Sequence, residues 1–158
     1  MKILIIDDMS FYRLFLKTHL TTLGHEIITA SCGEEGIKLY LEESPDLVLL
    51  DVLMPKMSGH DVAKAMRLQK KEWVPIIFLS ALTDAEDIVE GIDAGADDYL
   101  FKPIKEDVLQ AKIKAMVRIS DMRHELIDSK KALEEANSKL QALASVEGYN
   151  LGQDNNRC

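Results

Sequence analysis

Five short apolar runs, each followed by a stretch with helical periodicity, limit this chain to one broad architecture. The runs cover residues 2–6, 26–30, 47–50, 76–79 and 99–101. Ile-Leu-Ile-Ile in the first and Leu-Val-Leu-Leu in the third show no polar alternation. Such strands have no solvent face and belong in a parallel sheet covered on both sides. Amphipathic stretches at 11–23, 34–43, 60–69 and 85–94 lie between them. Gly24 and Gly95 stand where helix C-termini are expected, and Asp84 suits an N-cap. A βα unit repeated five times predicts a doubly wound α/β fold.

Polar residues fall at the ends of those runs. Asp7 and Asp8 follow strand 1, Asp51 ends strand 3, Ser80 ends strand 4 and Lys102 ends strand 5. Open parallel sheets bind ligands beyond the carboxyl ends of their strands, so all five side chains converge on the edge where a site belongs. Three carboxylates held together repel one another unless a cation sits among them. Hard oxygen donors of high charge suit Mg²⁺, with Asp7 and Asp8 as part of its shell. Lys102 supplies a fixed positive charge and Ser80 a hydroxyl for a phosphoryl oxygen. The set fits in-line phosphoryl transfer to a carboxylate, with Asp51, at the end of a central strand, as the nucleophile.

The charge is lopsided in a way that bears on partners. Residues 1–104 carry 18 acidic side chains against 10 basic ones, while residues 105–158 carry nine of each. Neither half offers the clustered Lys and Arg that phosphate backbones require, so no nucleic-acid surface is expected. No apolar run approaches the ~20 residues of a membrane span. The first eight residues turn acidic, unlike a secretory signal, and Cys32 and Cys158 make no metal or redox spacing. A cytoplasmic, reduced protein is expected.

The residues resemble the receiver domain of bacterial two-component response regulators over roughly residues 1–120. The resemblance rests on Ile-Leu-Ile-Ile-Asp7-Asp8, on Leu-Val-Leu-Leu-Asp51-Val-Leu-Met54-Pro55-Lys-Met57-Ser-Gly59, on Ile-Ile-Phe-Leu-Ser80-Ala81, and on Ala94-Gly95-Ala96-Asp97-Asp98-Tyr99-Leu-Phe-Lys102-Pro103. It implies a flavodoxin-like five-stranded parallel sheet of order 2-1-3-4-5 and phosphorylation of Asp51 by a sensor histidine kinase or phosphotransfer protein. It implies Mg²⁺ bound by Asp8 and Asp51 directly, by Asp7 through water and by the backbone carbonyl of Leu53. Ser80 and Tyr99 resemble the family's switch pair, Lys102 its phosphoryl-binding lysine, and Lys102–Pro103 its cis peptide. No enzyme activity is implied beyond self-phosphorylation and self-dephosphorylation. Leu53 and Leu82, two positions past Asp51 and Ser80, should flank the phosphoryl group; neither can orient a water, which predicts a long-lived acyl phosphate.

A helical pattern then runs on past the length of a fifth receiver helix, over about residues 105–146. From Ala115 the apolar spacing is heptad: Ala115, Ile119, Met122, Leu126, Ser129, Leu133, Ala136, Leu140, Leu143. Four heptads predict a coiled coil, and a helix of that span is roughly 60 Å long, more than one receiver can cover. Glu125 and Lys130 fall where a parallel homodimer could pair them, and Ser129 and Ala136 make the seam weak and adjustable. Ala-Asn-Ser-Lys-Leu-Gln-Ala-Leu-Ala-Ser145 resembles the helix leading into receiver-linked diguanylate cyclases, although no Leu-Thr-Gly-Leu run follows. The chain is then either a piece of such a protein or a receiver standing alone with a dimerising helix. Residues 147–158 are expected to be disordered.

Two rivals remain at this point: a Mg²⁺-dependent phosphatase or phosphotransfer enzyme working through an aspartyl phosphate, and a dimerisation adaptor with an inert acidic pocket. His19, His25 and His60 read as surface residues, His124 as a solvated coil histidine, and Trp73 and Phe78 as packing at the sheet's edges.

Overall fold

In the computed structural model, which describes residues 1–69 and 72–154, each apolar run is a strand. The order along the chain is β1 (Lys2–Ile6), α1 (Ser10–Thr22), β2 (Glu26–Ala30), α2 (Gly33–Glu43), β3 (Leu47–Asp51), α3 (Gly59–Leu68), β4 (Ile76–Ser80), α4 (Ala85–Ala94), β5 (Asp98–Phe101) and α5 (Glu106–Asp154). The strands form one parallel sheet in the order β2-β1-β3-β4-β5, the flavodoxin-like arrangement expected. The unalternated strands β3 and β4 are buried at every position, which is why they tolerate no polar residue until Asp51 and Ser80 at their ends.

Local chemistry fixes the helix ends. Ser58 and Asp61 form a reciprocal capping box at the start of α3. Asp84 does occupy the N-cap of α4, but its side chain makes no capping hydrogen bond. Gly95 ends α4 in a left-handed conformation. From α3, Arg67 donates to the carbonyls of Gly95 and Val74 and pairs with Asp97 at 2.6 Å, tying α3 to both ends of the α4–β5 turn.

Several expectations need correction. Phe78 is not at a sheet edge: β4 lies between β3 and β5, and the ring is fully buried, edge-on to Tyr99 with centroids 5.5 Å apart. His25 and His60 each bury a ring nitrogen that has no hydrogen-bond partner. His19 is not a free surface residue either, since it stacks along Phe15 and meets Gln110 at 3.2 Å.

Contacts divide the chain into two units, Met1–Met116 and Val117–Cys158. The first contains the sheet and its helices. The described part of the second is helical throughout: α5 continues past Val146 to Asp154 where disorder was expected. No proline interrupts that stretch, and alanine- and leucine-rich turns before it favour propagation. Residues 155–158 lie outside the described residues. No helix among the described residues is long and apolar enough to cross a membrane.

Candidate functional site

The parallel sheet delivers its carboxyl ends to one edge, and backbone contacts there hold the candidate residues in place. The amide of Asp7 donates to Ala30 at the end of β2. Its carboxylate accepts from the amide of Met9 at 2.9 Å, and its carbonyl accepts from Arg13 at 2.8 Å. Asp51 closes β3, and the next amide, of Val52, donates to Leu79 on β4. Gly59 lets α3 press against this point: a Cβ there would collide with the carbonyl oxygen of Asp51 and lie 2.8 Å from the Cα of Val52. Lys102 follows β5, its amide donating to the carbonyl of Ser80 at 2.8 Å, and the Lys102–Pro103 peptide is cis, as the resemblance implied.

The result is an acidic cluster whose carboxylates share the Lys102 ammonium. Carboxylate oxygens of Asp7, Asp8 and Asp51 all lie within 4.8 Å of one another; Asp7 and Asp51 are buried and Asp8 is exposed. The Lys102 ammonium donates to Asp7 Oδ2 at 3.0 Å and to Asp51 Oδ1 at 3.3 Å. Burial, and then the charge of Asp7, push the Asp51 carboxyl up to about 7, with Lys102 pulling the other way. Burial works against the charged form of Lys102, but its carboxylate partners outweigh that and raise its pKa. Burial and the neighbouring carboxylate both disfavour the Asp51 anion, and a cation bound among the acids would favour it. Three oxygen donors in this arrangement suit a hard divalent cation such as Mg²⁺.

The remaining predicted residues lie around this cluster. Ser80 is fully buried, and its hydroxyl accepts from the amide of Leu82 at 2.9 Å. Tyr99 is also buried, its hydroxyl donating to the carbonyl of Asp87 on α4 at 2.9 Å. Burial, and then Asp87 and Glu90, raise its phenol's pKa, so the ring stays a neutral donor. The Leu53 side chain is exposed, whereas Leu82 is partly buried against the core. One neighbour was not anticipated from sequence. The ring of Tyr12 on α1 lies beneath the Lys102 ammonium, 4.1 Å from ring centroid to nitrogen. Nothing in the sequence near Tyr12 distinguishes it from an aromatic on the inner face of an amphipathic helix.

Comparison with known proteins places this geometry among relatives. Residues 3–114 match the family model described as the response regulator receiver domain. The chain is 45% identical over 120 residues to the "Probable transcriptional regulator ycf27" of Porphyra purpurea, covering 76% of this chain and 49% of that protein. It is 42% identical over 116 residues to "Transcriptional regulatory protein AfsQ1" of Streptomyces coelicolor, covering 73% of this chain and 51% of that one. It therefore spans about half the length of these relatives. Among solved structures, the chemotaxis protein CheY4 of Vibrio cholerae superposes with a TM-score of 0.70 at 31% identity, covering 73% of this chain and 97% of that one.

Proposed function

The chain belongs to the response regulator receiver family, and from that premise we propose that Asp51 is the phosphoacceptor of a two-component signalling switch. The observation that carries this reading is the Lys102 ammonium shared by two buried carboxylates, with a third at the same edge. A carboxylate oxygen of Asp51 attacks the phosphorus of a phosphohistidine on a sensor kinase or phosphotransfer protein. The new O–P bond forms as the P–N bond breaks, and the electron pair leaves with the imidazole. Lys102 turns from Asp51 Oδ1 to a phosphoryl oxygen while keeping Asp7. Bound Mg²⁺, held by Asp8, Asp51, the Leu53 carbonyl and (through water) Asp7, would supply the charge that keeps these carboxylates ionised.

Ser80 and Tyr99 act as the switch. The Ser80 hydroxyl trades the Leu82 amide for the phosphoryl group, and Tyr99 takes the inward position it already holds here. Phosphorylation then favours one member of an existing equilibrium rather than creating a new state. The signal leaves through α5. Met122, Leu126, Leu133, Leu140 and Leu143 are all more than half exposed, an apolar stripe at heptad spacing that supports pairing with a second copy. Lys130, assigned to an interchain pair with Glu125, sits 3.9 Å from Glu134 of its own helix, an exposed contact of little weight. The relatives are named transcriptional regulators. The expectation of no nucleic-acid contact is therefore not carried forward; a DNA-binding output in the whole protein is the reading those names favour over a diguanylate cyclase. Such a regulator acts in the cytoplasm and is not itself an enzyme in metabolism.

Light scattering with and without beryllofluoride plus Mg²⁺, on wild type and Asp51→Asn, tests this reading. A change of mass or shape confined to the wild type is expected. No response in the wild type would leave a dimerisation adaptor with an inert pocket. The leucines flanking the site carry a second prediction. Installing a water-orienting group by Leu53→Glu or Leu82→Gln should shorten the acyl-phosphate lifetime about tenfold. Unchanged dephosphorylation in both variants would show that these positions do not govern it.

A further inference from the structure

We propose that Tyr12 is a positioning residue for phosphoryl transfer, its ring face holding the Lys102 ammonium in register with Asp51. The proposal rests on the reading of Asp51 as phosphoacceptor and concerns how its cation is kept in place.

An ammonium has three N–H donors. Two on Lys102 meet Asp7 and Asp51, and no third hydrogen-bond acceptor meets it among the described residues. The Tyr12 ring is its other close partner, at 4.1 Å, well inside the ~6 Å within which a cation is attracted to an aromatic face. With the lysine side chain only 9% exposed, water screens this contact little. Attraction to a ring face is therefore strengthened rather than competed away.

The start of α1 and its N-cap residue keep the ring in that position. Met9 and Arg13, on either side of Tyr12 in sequence, both hydrogen-bond to Asp7. The Phe11 ring packs edge-on to Tyr12, with centroids 5.3 Å apart at 78°. A single helical start thus braces the carboxylate and the cation together. The Tyr12 hydroxyl, by contrast, makes no hydrogen bond to a described residue, so the ring rather than the phenol carries the effect.

An aromatic face suits this position chemically. A carboxylate there would repel the incoming phosphoryl group, and an amide oxygen would take the N–H that a phosphoryl oxygen needs. A ring attracts the ammonium without consuming a donor. When Asp51 is phosphorylated, Lys102 can redirect one N–H to the phosphoryl group without leaving the ring.

The test is the initial rate of Asp51 phosphorylation by phosphoramidate with Mg²⁺, with thermal melting as a check on folding. Tyr12→Phe should stay within about twofold of wild type, while Tyr12→Leu should slow the rate about fivefold. Tyr12→Met repeats the second measurement if the leucine variant does not fold. In a Lys102→Met background the Tyr12→Leu penalty should vanish, because the partner through which it acts is gone. Leucine and methionine variants as fast as wild type would overturn the proposal. So would a phenylalanine variant as slow as leucine, or an undiminished penalty without Lys102. A wild type that takes up no phosphoryl group would instead overturn the reading of Asp51 itself.

Discussion

Replacing Asp51 with Asn should abolish phosphoryl uptake and, in metal-free buffer near pH 8, stabilise the fold by about 2 kcal/mol. The sign follows from burial. The carboxyl titrates near 7 in the folded chain against 3.8 as its ordinary value, because burial and Asp7 disfavour its charge. Below the lower value it is protonated in both states and costs nothing. Between the two values the unfolded chain ionises while the folded one keeps its proton, so stability falls as pH rises and the loss is complete once the folded protein holds a buried anion beside Asp7 above about 7. The full shift, in which the attraction of Lys102 is already included, corresponds to about 4 kcal/mol, and relaxation and water entry around the buried anion reduce this to about half. Denaturant melts of both proteins between about pH 4 and pH 8 measure this. The advantage of Asn should be greatest at the alkaline end and fade towards the acid end, where a neutral Asp resembles Asn. Millimolar Mg²⁺ should stabilise the wild type and leave the variant nearly unmoved, since binding to the folded state alone shifts stability. An Asn variant no more stable than wild type at pH 8 would mean that Lys102 fully compensates the buried charge.

The ends of strands were the legible part of this site. Asp7, Asp51 and Lys102 each interrupt or follow an unbroken apolar run, so their place on the sheet edge is written in one dimension, as is the sheet itself. Tyr12 is different. Its spacing on α1 is that of any inward aromatic, and only the return of the chain after β5, some ninety residues later, sets Lys102 over its face. Gly59 and Arg67 were opaque for the same reason. What they do depends on an approach by β3 or by the α4–β5 turn that no local pattern records. Phe78 was misplaced although the strand order already made β4 an interior strand. The size of an aromatic in an apolar run does not say which strand of the sheet carries it. The helical stretch after Val146 was missed because a polar, glycine-containing segment resembles a disordered one in composition, while helix propagation from a long preceding helix is cooperative.

Gly91 offers the second large effect, because a methyl group there tests whether the inward Tyr99 is the stable state. Glycine inside a helix is about 1 kcal/mol worse than alanine, so α4 carries this residue at a cost. The structure supplies a reason: a Cβ on Gly91 would collide with the Tyr99 hydroxyl and lie 2.6 Å from the ring's Cζ. The ring has little room to retreat, with Phe78 edge-on at 5.5 Å, Phe101 stacked at 6.0 Å and the hydroxyl tied to Asp87. Gly91→Ala should therefore destabilise the wild type by about 1–3 kcal/mol through overpacking, or expel the ring. In a Tyr99→Ala background the three nearest atoms, all of the Tyr99 ring and hydroxyl, are gone, and the same substitution should stabilise by up to about 1 kcal/mol. The change of sign between backgrounds is the measurement, read from denaturant melts of the four proteins. Equal effects in both would show that Tyr99 does not rest against Gly91. If the ring is expelled, Gly91→Ala should still accept a phosphoryl group at Asp51, since its chemistry is untouched, yet lose the beryllofluoride-dependent change of shape. Uptake and response would then be separated by one methyl group on α4, which would make the space above Gly91 the point at which phosphorylation is converted into a conformational signal.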